Sequence, residues 1–153
     1  MTRAAAKTAQ GHGFDHVETW VFDLDNTLYP AECDLFAQID HRMGTFIAET
    51  LDLSLDDAHA LRKRYYFEHG TTLAGLICQH GVKPDDFLDY VHDIDLDVVA
   101  QSPELGAAID ALPGRELVFT NGCRKHAERV TAKLGVLERF EDIFDIHALE
   151  YLN

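Results

Sequence analysis

Two short runs rich in β-branched and aromatic residues frame this chain: VETWVFDLD (residues 17–25) and RELVFTNG (residues 115–122). The stretch between them carries helix signals and no strand signal. Short apolar runs of this kind are the pattern of strands buried on both faces of a parallel sheet. After the second run, CRKHAERVTAKLG (residues 123–135) reads as a helix with Ala127, Val130 and Leu134 inward and Gly135 as its stop. FEDIFDIHAL (residues 140–149) then holds a third short strand around 143–146. Strands alternating with helices imply a parallel sheet with helices on its faces.

The intervening block is legible from its caps and its period. From Asp34 onward, Leu35, Ile39, Met43, Phe46, Ile47 and Leu51 recur at spacings of three and four, the stripe of an amphipathic helix. Ser54 caps the next helix, with Asp57 in the capping-box position, and Gly70 stops it. Further helices are expected over 72–80, ended by Gly81, and over 84–92, where Pro84 suits a first turn. In SPELGAAIDALPG (residues 102–114) Ser102 is the cap, Pro103 the first helical position and Gly114 lies beyond the end. The expected fold is α/β, a Rossmann-like three-layer core formed by residues 14–30 and 101–153. Residues 31–100 are expected as an all-helical insertion after the first strand.

A chain of 153 residues suffices for one ordinary domain, or for a small core carrying an inserted subdomain. Its 46% hydrophobic and 26% charged content is that of a globular protein. Thirteen Lys and Arg stand against 27 Asp and Glu, a formal net charge of −14. Because residues 1–13 hold Arg3 and Lys7 and no acid, the rest of the chain is more acidic still. Such a surface repels polyanions, which argues against a nucleic-acid duplex or an anionic membrane as partner. Residues 1–13 are expected to be a flexible tail. No apolar run approaches the roughly 18 residues of a membrane span. Cys33, Cys78 and Cys123 are odd in number and form no C-x-x-C pair, which suggests neither a disulfide framework nor a thiolate zinc site. A reducing, cytoplasmic setting is expected.

The two framing runs end on chemistry. Ligands of a parallel sheet gather beyond the carboxyl ends of its strands. Asp23 and Asp25 close the first run, and Thr120, Asn121 and Gly122 close the second. If the strands are neighbours, the two carboxylates, the Thr120 hydroxyl and the backbone N–H groups of Asn121 and Gly122 converge on one crevice. The positive N-terminal end of the following helix is aimed there too. Carboxylates beside such donors repel the phosphate the donors would bind. A divalent cation such as Mg²⁺, which takes carboxylate and carbonyl oxygens and bridges to phosphate, resolves the conflict. These are the parts for phosphoryl transfer through an aspartyl phosphate, one carboxylate attacking and the other moving the proton.

DLDNTLY resembles the D-x-D-x-[TV]-L first motif of the haloacid dehalogenase superfamily, and VFTNG resembles its second motif, a strand ending in Thr or Ser. YYFEHGTTLAGL, DFLDYVHDID, LPGRELVFTNG, HAERV and FEDIFDI together resemble the pyrimidine 5′-nucleotidase-like branch, from about residue 17 to the last. The resemblance implies Asp23 as nucleophile and Mg²⁺ ligand. It implies Asp25 as general acid and base, whose backbone carbonyl also binds the metal. Thr120 would bind phosphate through its hydroxyl, with Asn121 donating alongside. The helical insertion is implied to be a cap that selects the leaving group, with Tyr65, Tyr66, His69 and Thr72 in its nucleotidase-like phrase. An acid at position 25 favours phosphate chemistry over carbon–halogen cleavage, since dehalogenases of the superfamily lack it. The implied substrate is a small phosphomonoester, a nucleoside 5′-monophosphate among the candidates.

The superfamily's third motif, a phosphate-neutralising Lys, and its fourth, an acidic pair completing the metal site, have no counterpart in this sequence. Lys125 and Lys133 both fall on the helix after the second motif and are not expected to substitute. The core is therefore expected to be C-terminally incomplete, with a bare edge on the first strand that invites self-association. Phosphatase turnover is expected to be impaired. The alternative is a non-catalytic fragment, or one half of a split protein that needs a second chain. A calcium loop starting at Asp23 needs Gly at its sixth position and Glu at its twelfth, where Leu28 and Asp34 stand. The nine histidines are each expected on the surface or in the core rather than on a ligand. DIDLD (residues 93–97) is expected to be a solvated linker.

Overall fold

The computed structural model describes residues 13–151. The tail expected over 1–13 thus lies, except for Gly13, outside the described residues. The chain runs β1 (Thr19–Phe22), α1 (Leu35–Leu51), α2 (Leu55–His69), α3 (Thr72–His80), α4 (Pro84–Val91), α5 (Pro103–Asp110), β2 (Arg115–Phe119), α6 (Arg124–Leu134) and β3 (Asp142–Phe144). Short 3₁₀ turns occupy Ala31–Cys33 and Leu137–Arg139. All three strands are parallel, in the order β1-β2-β3. The architecture is the α/β, Rossmann-like one that the alternation of strand and helix signals implies.

The register sorts the side chains onto two faces. Phe22 pairs with Val118 and Val118 with Ile143, so these three point to one side. There Val118 and Ile143 are buried with Ala127, Val130 and Leu134 of α6, and the Phe22 ring meets Phe140 edge-on at 5.8 Å. Val21 pairs with Leu117, and Phe119 with Phe144, on the opposite side. Val21 is 62% exposed, Phe119 39% and Phe144 42%. Among the described residues, then, one face of the sheet has its helical layer and the other stands open. β1 is an edge strand.

The helices form where the caps place them. The Ser54 hydroxyl accepts the Asp57 N–H at 3.1 Å and donates to the Asp57 carboxylate at 2.8 Å. Thr71 and Ser102 likewise accept from Ala74 and Leu105 at the starts of α3 and α5. Helices α1 to α4 pack on one another. An Arg62–Asp40 ion pair ties α2 to α1, and the Arg42 guanidinium of α1 lies 4.3 Å over the Tyr90 ring of α4. DIDLD is an extended connection with structural ties. Gln38 exchanges two 2.9 Å hydrogen bonds with the Asp95 backbone, and Lys133 reaches Asp97 at 2.8 Å.

Gly75 lets α3 lie hard against α2. A Cβ there would stand 2.5 Å from both Cβ and Cγ of Tyr65. Tyr65 has no room to yield, because its ring is 4% exposed and its hydroxyl sits 2.6 Å from His80 Nε2.

The segment after β3 is held by charge. Asp145, buried, accepts the Arg124 N–H at 2.8 Å and so caps α6 from outside the helix. Its other partners are the Ala148 N–H at 3.2 Å and His147 Nδ1 at 2.8 Å. His147 Nε2 continues to Asp85 of α4 at 3.1 Å. Burial works to raise the Asp145 pKa, but the bonds from His147, Arg124 and Ala148 together outweigh it and hold the carboxyl below its ordinary value. For His147 burial works downward, but the two carboxylates outweigh it and its pKa is raised.

Two expectations follow from these contacts. Gly75→Ala gains about 1 kcal/mol in helix propensity, yet the clash with a fixed ring costs about 1–3 kcal/mol. Urea denaturation should therefore show a net loss of stability, and an increase would mean that Tyr65 moves freely. For His147, a folded pKa above the unfolded one means its contribution is complete below about pH 6.5 and fades as pH rises through the folded value. His147→Gln should accordingly cost more stability near about pH 6 than near about pH 9. An equal loss at both pH values would show that the imidazolium bridge contributes nothing.

Candidate active site

Beyond Phe22 the chain leaves the sheet and curls. Thr27 and Leu28 both donate their N–H to the Leu24 carbonyl, and Asn26 takes a left-handed φ of 57°. This tight turn folds the chain back so that residues four apart meet. Thr27 Oγ1 therefore donates to Asp23 Oδ2 at 2.7 Å, and Tyr29 OH donates to Asp25 Oδ1 at 2.6 Å. Each aspartate of DLDNTLY is oriented by the residue four positions on. Leu24, between them, is fully buried and anchors the turn in the core.

Parallel pairing of β1 with β2 brings the end of RELVFTNG beside this turn. Thr120 is buried, and its Oγ1 accepts the Gly122 N–H at 3.0 Å. The Gly122 carbonyl in turn accepts from Ile146 at 3.1 Å, which fastens the loop to the segment after β3. Of the two backbone donors expected to face a phosphate, Gly122 N–H is thus engaged by Thr120. The Thr120 hydroxyl keeps its own hydrogen to donate.

A cavity of about 270 Å³ opens where the sheet ends meet the helical block. Asp23, Asp25, His92, Thr120, Asn121 and Gly122 form its polar floor. Its walls are apolar, from Phe36, Ile39 and Met43 of α1 and Phe87, Leu88 and Val91 of α4, with Leu73 and Ile146. Among the described residues no Lys or Arg lines it. Of the four cap residues singled out in the sequence, Tyr66 and Thr72 reach this wall, and Tyr66 is 57% exposed. Tyr65 turns inward to His80, and His69 packs against the Tyr65 ring at 5.6 Å. Lys125 is exposed and Lys133 is engaged by Asp97; neither lines the cavity.

Two histidines that the sequence left undistinguished lie under the site. His126 of α6 is completely buried, with Nε2 at 2.9 Å from Asp25 Oδ1. His92, at the end of α4, stacks on it with centroids 4.2 Å apart and planes 6° from parallel. Its Nδ1 lies 3.3 Å from the Cys123 sulfur. Burial, followed by the neighbouring His126, lowers the His92 pKa to about 3, so that ring is neutral. Burial works to raise the Asp25 pKa, but His126 and Tyr29 outweigh it and the carboxyl falls below its ordinary value. Burial and then Asp25 push the Tyr29 phenol upward, which keeps it a donor. The i, i+4 pairs Asp23/Thr27 and Asp25/Tyr29 were readable signals in the sequence. His126 had none beyond its place in HAERV.

The donor set is hard oxygen: the Asp23 carboxylate and Asp25. Among the described residues no group of three or more His, Cys, Asp or Glu side chains is arranged to hold a metal ion. That set fits Mg²⁺, which is commonly held by one or two carboxylates and keeps its remaining positions for water and phosphate. It does not fit zinc, which wants three or four nitrogen, sulfur or carboxylate ligands. No helix among the described residues is long and apolar enough to cross a membrane.

No family model matches the chain. Among curated proteins it is 28% identical over 142 residues to phosphate metabolism protein 8 of Saccharomyces cerevisiae. The alignment covers 85% of this chain and 44% of that protein, so the chain spans less than half of its relative's length. The likeness supports, coarsely, the resemblance to phosphatases of the haloacid dehalogenase kind.

Proposed function

We propose that this chain carries the nucleophile half of a magnesium-dependent phosphatase site. Its substrate is a small phosphomonoester, for which a nucleoside 5′-monophosphate is the leading candidate. One observation carries the reading: Asp23 and Asp25 at the end of β1 share a single cavity with Thr120, Asn121 and Gly122 at the end of β2. The likeness to a phosphate metabolism protein supports it.

Asp23 is the attacking group. With Oδ2 engaged by Thr27, its other oxygen is directed by a fixed carboxylate. As the bond from this oxygen to phosphorus forms, the bond to the leaving alcohol breaks and Asp25 gives its proton to the departing oxygen. Asp25 then takes a proton from water, which attacks phosphorus, frees Asp23 and releases inorganic phosphate. Asp25, its pKa held below the ordinary carboxylate value, is a carboxylate. A phosphate dianion arriving beside it disfavours that charge and so favours the protonated form the first step needs. Mg²⁺, when bound by the Asp23 carboxylate and the Asp25 backbone, supplies positive charge against the phosphate oxygens. The apolar walls on α1, α3 and α4 receive the organic part, and Tyr66 and Thr72 are its polar contacts from the cap.

Among the described residues the cavity is lined by no Lys or Arg, so phosphate charge is under-balanced and turnover of the chain alone is slow. With p-nitrophenyl phosphate and Mg²⁺, rates at the ordinary enzymatic level, roughly 1–10³ per second, would refute that deficit. The chemistry itself is read by mass spectrometry of the protein quenched in acid. A phosphoryl adduct should map to Asp23, accumulate in Asp25→Asn, whose second step lacks its base, and be absent from Asp23→Asn. No adduct in any of the three proteins would sink the enzyme reading and leave a non-catalytic module.

A further inference from the structure

The completely buried imidazole of His126 stands on a helix face that also buries Ala127, Val130, Thr131 and Leu134. Thr131 spends its hydroxyl within the helix, on the Ala127 carbonyl at 2.7 Å, whereas His126 reaches out of it. A buried polar ring is tolerated where its nitrogens find partners. Here only one does. Nε2 meets Asp25 Oδ1 at 2.9 Å, and Nδ1 is a buried nitrogen without a hydrogen-bond partner among the described residues. An apolar side chain in that space would leave nothing unsatisfied on α6 and would remove one donor from Asp25. That donor is what the imidazole adds.

The surroundings hold the ring in one place. His92 covers one side in a parallel stack at 4.2 Å. Gly122 closes another: a Cβ there would lie 3.2 Å from His126 Cδ2 and 3.3 Å from His92 Nε2. The absence of a side chain at Gly122 therefore lets the loop after β2 rest directly on both rings. His92 is itself fixed, through Cys123 at 3.3 Å and through its carbonyl, which accepts from Arg129 at 3.0 Å.

Tyr29 OH donates to the same Asp25 oxygen at 2.6 Å. An ionised carboxylate oxygen offers two lone-pair sites, so Tyr29 and His126 together fill Oδ1. Oδ2 is left as the oxygen that can exchange a proton. We propose that His126 is a positioning residue. Backed by the His92 ring, it holds Asp25 by Oδ1 so that Oδ2 alone is presented to the reacting oxygen. This rests on the reading of Asp25 as the acid and base of a phosphatase. The clamp itself can be tested without that reading.

Nitrogen-15 NMR of the histidine-labelled full chain tests the clamp. The expected result is a slowly exchanging proton on His126 Nε2, and its loss or marked shift in Asp25→Ala. A proton on Nδ1 in place of Nε2, or an Nε2 signal indifferent to Asp25→Ala, overturns the proposal. Kinetics with p-nitrophenyl phosphate and Mg²⁺ test the positioning. His126→Gln can offer an amide N–H at a similar reach, whereas His126→Phe fills the space without a donor. The Phe variant should lose kcat by about tenfold or more, a part of the roughly 10²–10⁴ that general acid–base catalysis contributes. Its KM should hold, and the Gln variant should recover most of the loss. Equal losses in both variants, tracking their melting temperatures, would make His126 merely structural and overturn the proposal. Absence of turnover in the unsubstituted chain overturns the phosphatase reading instead, and the NMR result then decides the clamp alone.

Discussion

The parallel pairing of β1 with β2 is the constraint on which the rest depends. Thr19 to Phe22 lie in register with Arg115 to Val118, although some ninety residues separate them in the chain. A parallel pair requires a crossover connection, and here that crossover contains α1 to α5. Closing so long a loop costs little more than closing a short one, because the entropic penalty grows only with the logarithm of length. The helices inside the loop bury their own apolar faces. Once the register is set, two consequences are unavoidable. The carboxylates after Phe22 stand beside the hydroxyl after Phe119, and the helices emerging from β1 overhang them.

Much of this was legible because the signals were local. Ser54 and Ser102 cap as short-range chemistry dictates, and Gly81 and Gly135 end their helices in the left-handed region; the cap at Thr71 was not among the signals read. The third strand lies at 142–144, earlier than the 143–146 read from the sequence. There the backbone leaves the sheet so that Asp145 can cap α6 and Ile146 can bond Gly122. Position in chain order could not reveal that exchange. The residues that share the cavity floor were legible at its ends, Asp23, Asp25 and Thr120, since strand termini follow from periodicity. What lies beneath was not. His126 meets Asp25 only through the rotation of α6 on the sheet, and His92 meets His126 only through the way α4 returns to the core. Tyr65 shows the converse. Its neighbourhood in sequence suggested the cavity, but a fifteen-residue helix has several faces, and the one bearing Tyr65 turns to Gly75 and His80.

The cavity is divided in chemistry as well as in the elements that line it. Its floor comes from strand ends, with His92 from the end of α4, and is polar; its walls, Ile146 apart, come from the helical block and are almost wholly apolar. The division follows from the two kinds of element. Backbone groups beyond a strand end are no longer paired in the sheet and need polar company. An amphipathic helix turned toward a cavity presents the stripe that would otherwise face a core. A ligand charged at one end and organic at the other matches that division without any single recognition residue.

Electrostatics limits what the floor can bind. The N-terminus of α6 is the natural anion site near Thr120, yet its first N–H is taken by the Asp145 carboxylate. An internal anion thus occupies a donor that could have served an external one. Asp145 is fixed there by His147, which also ties α4 to the sheet through Asp85. The same interaction that closes the helical block onto the core therefore draws positive potential away from the cavity. Asp23 and Asp25 add negative charge, no Lys or Arg among the described residues lines the space, and the chain as a whole carries a formal charge of −14. Against that field the Thr120 hydroxyl and a few amide dipoles cannot hold a dianion. On the reading proposed above, a divalent cation on the two aspartates would reverse the local sign, and metal and phosphate would then bind the floor together.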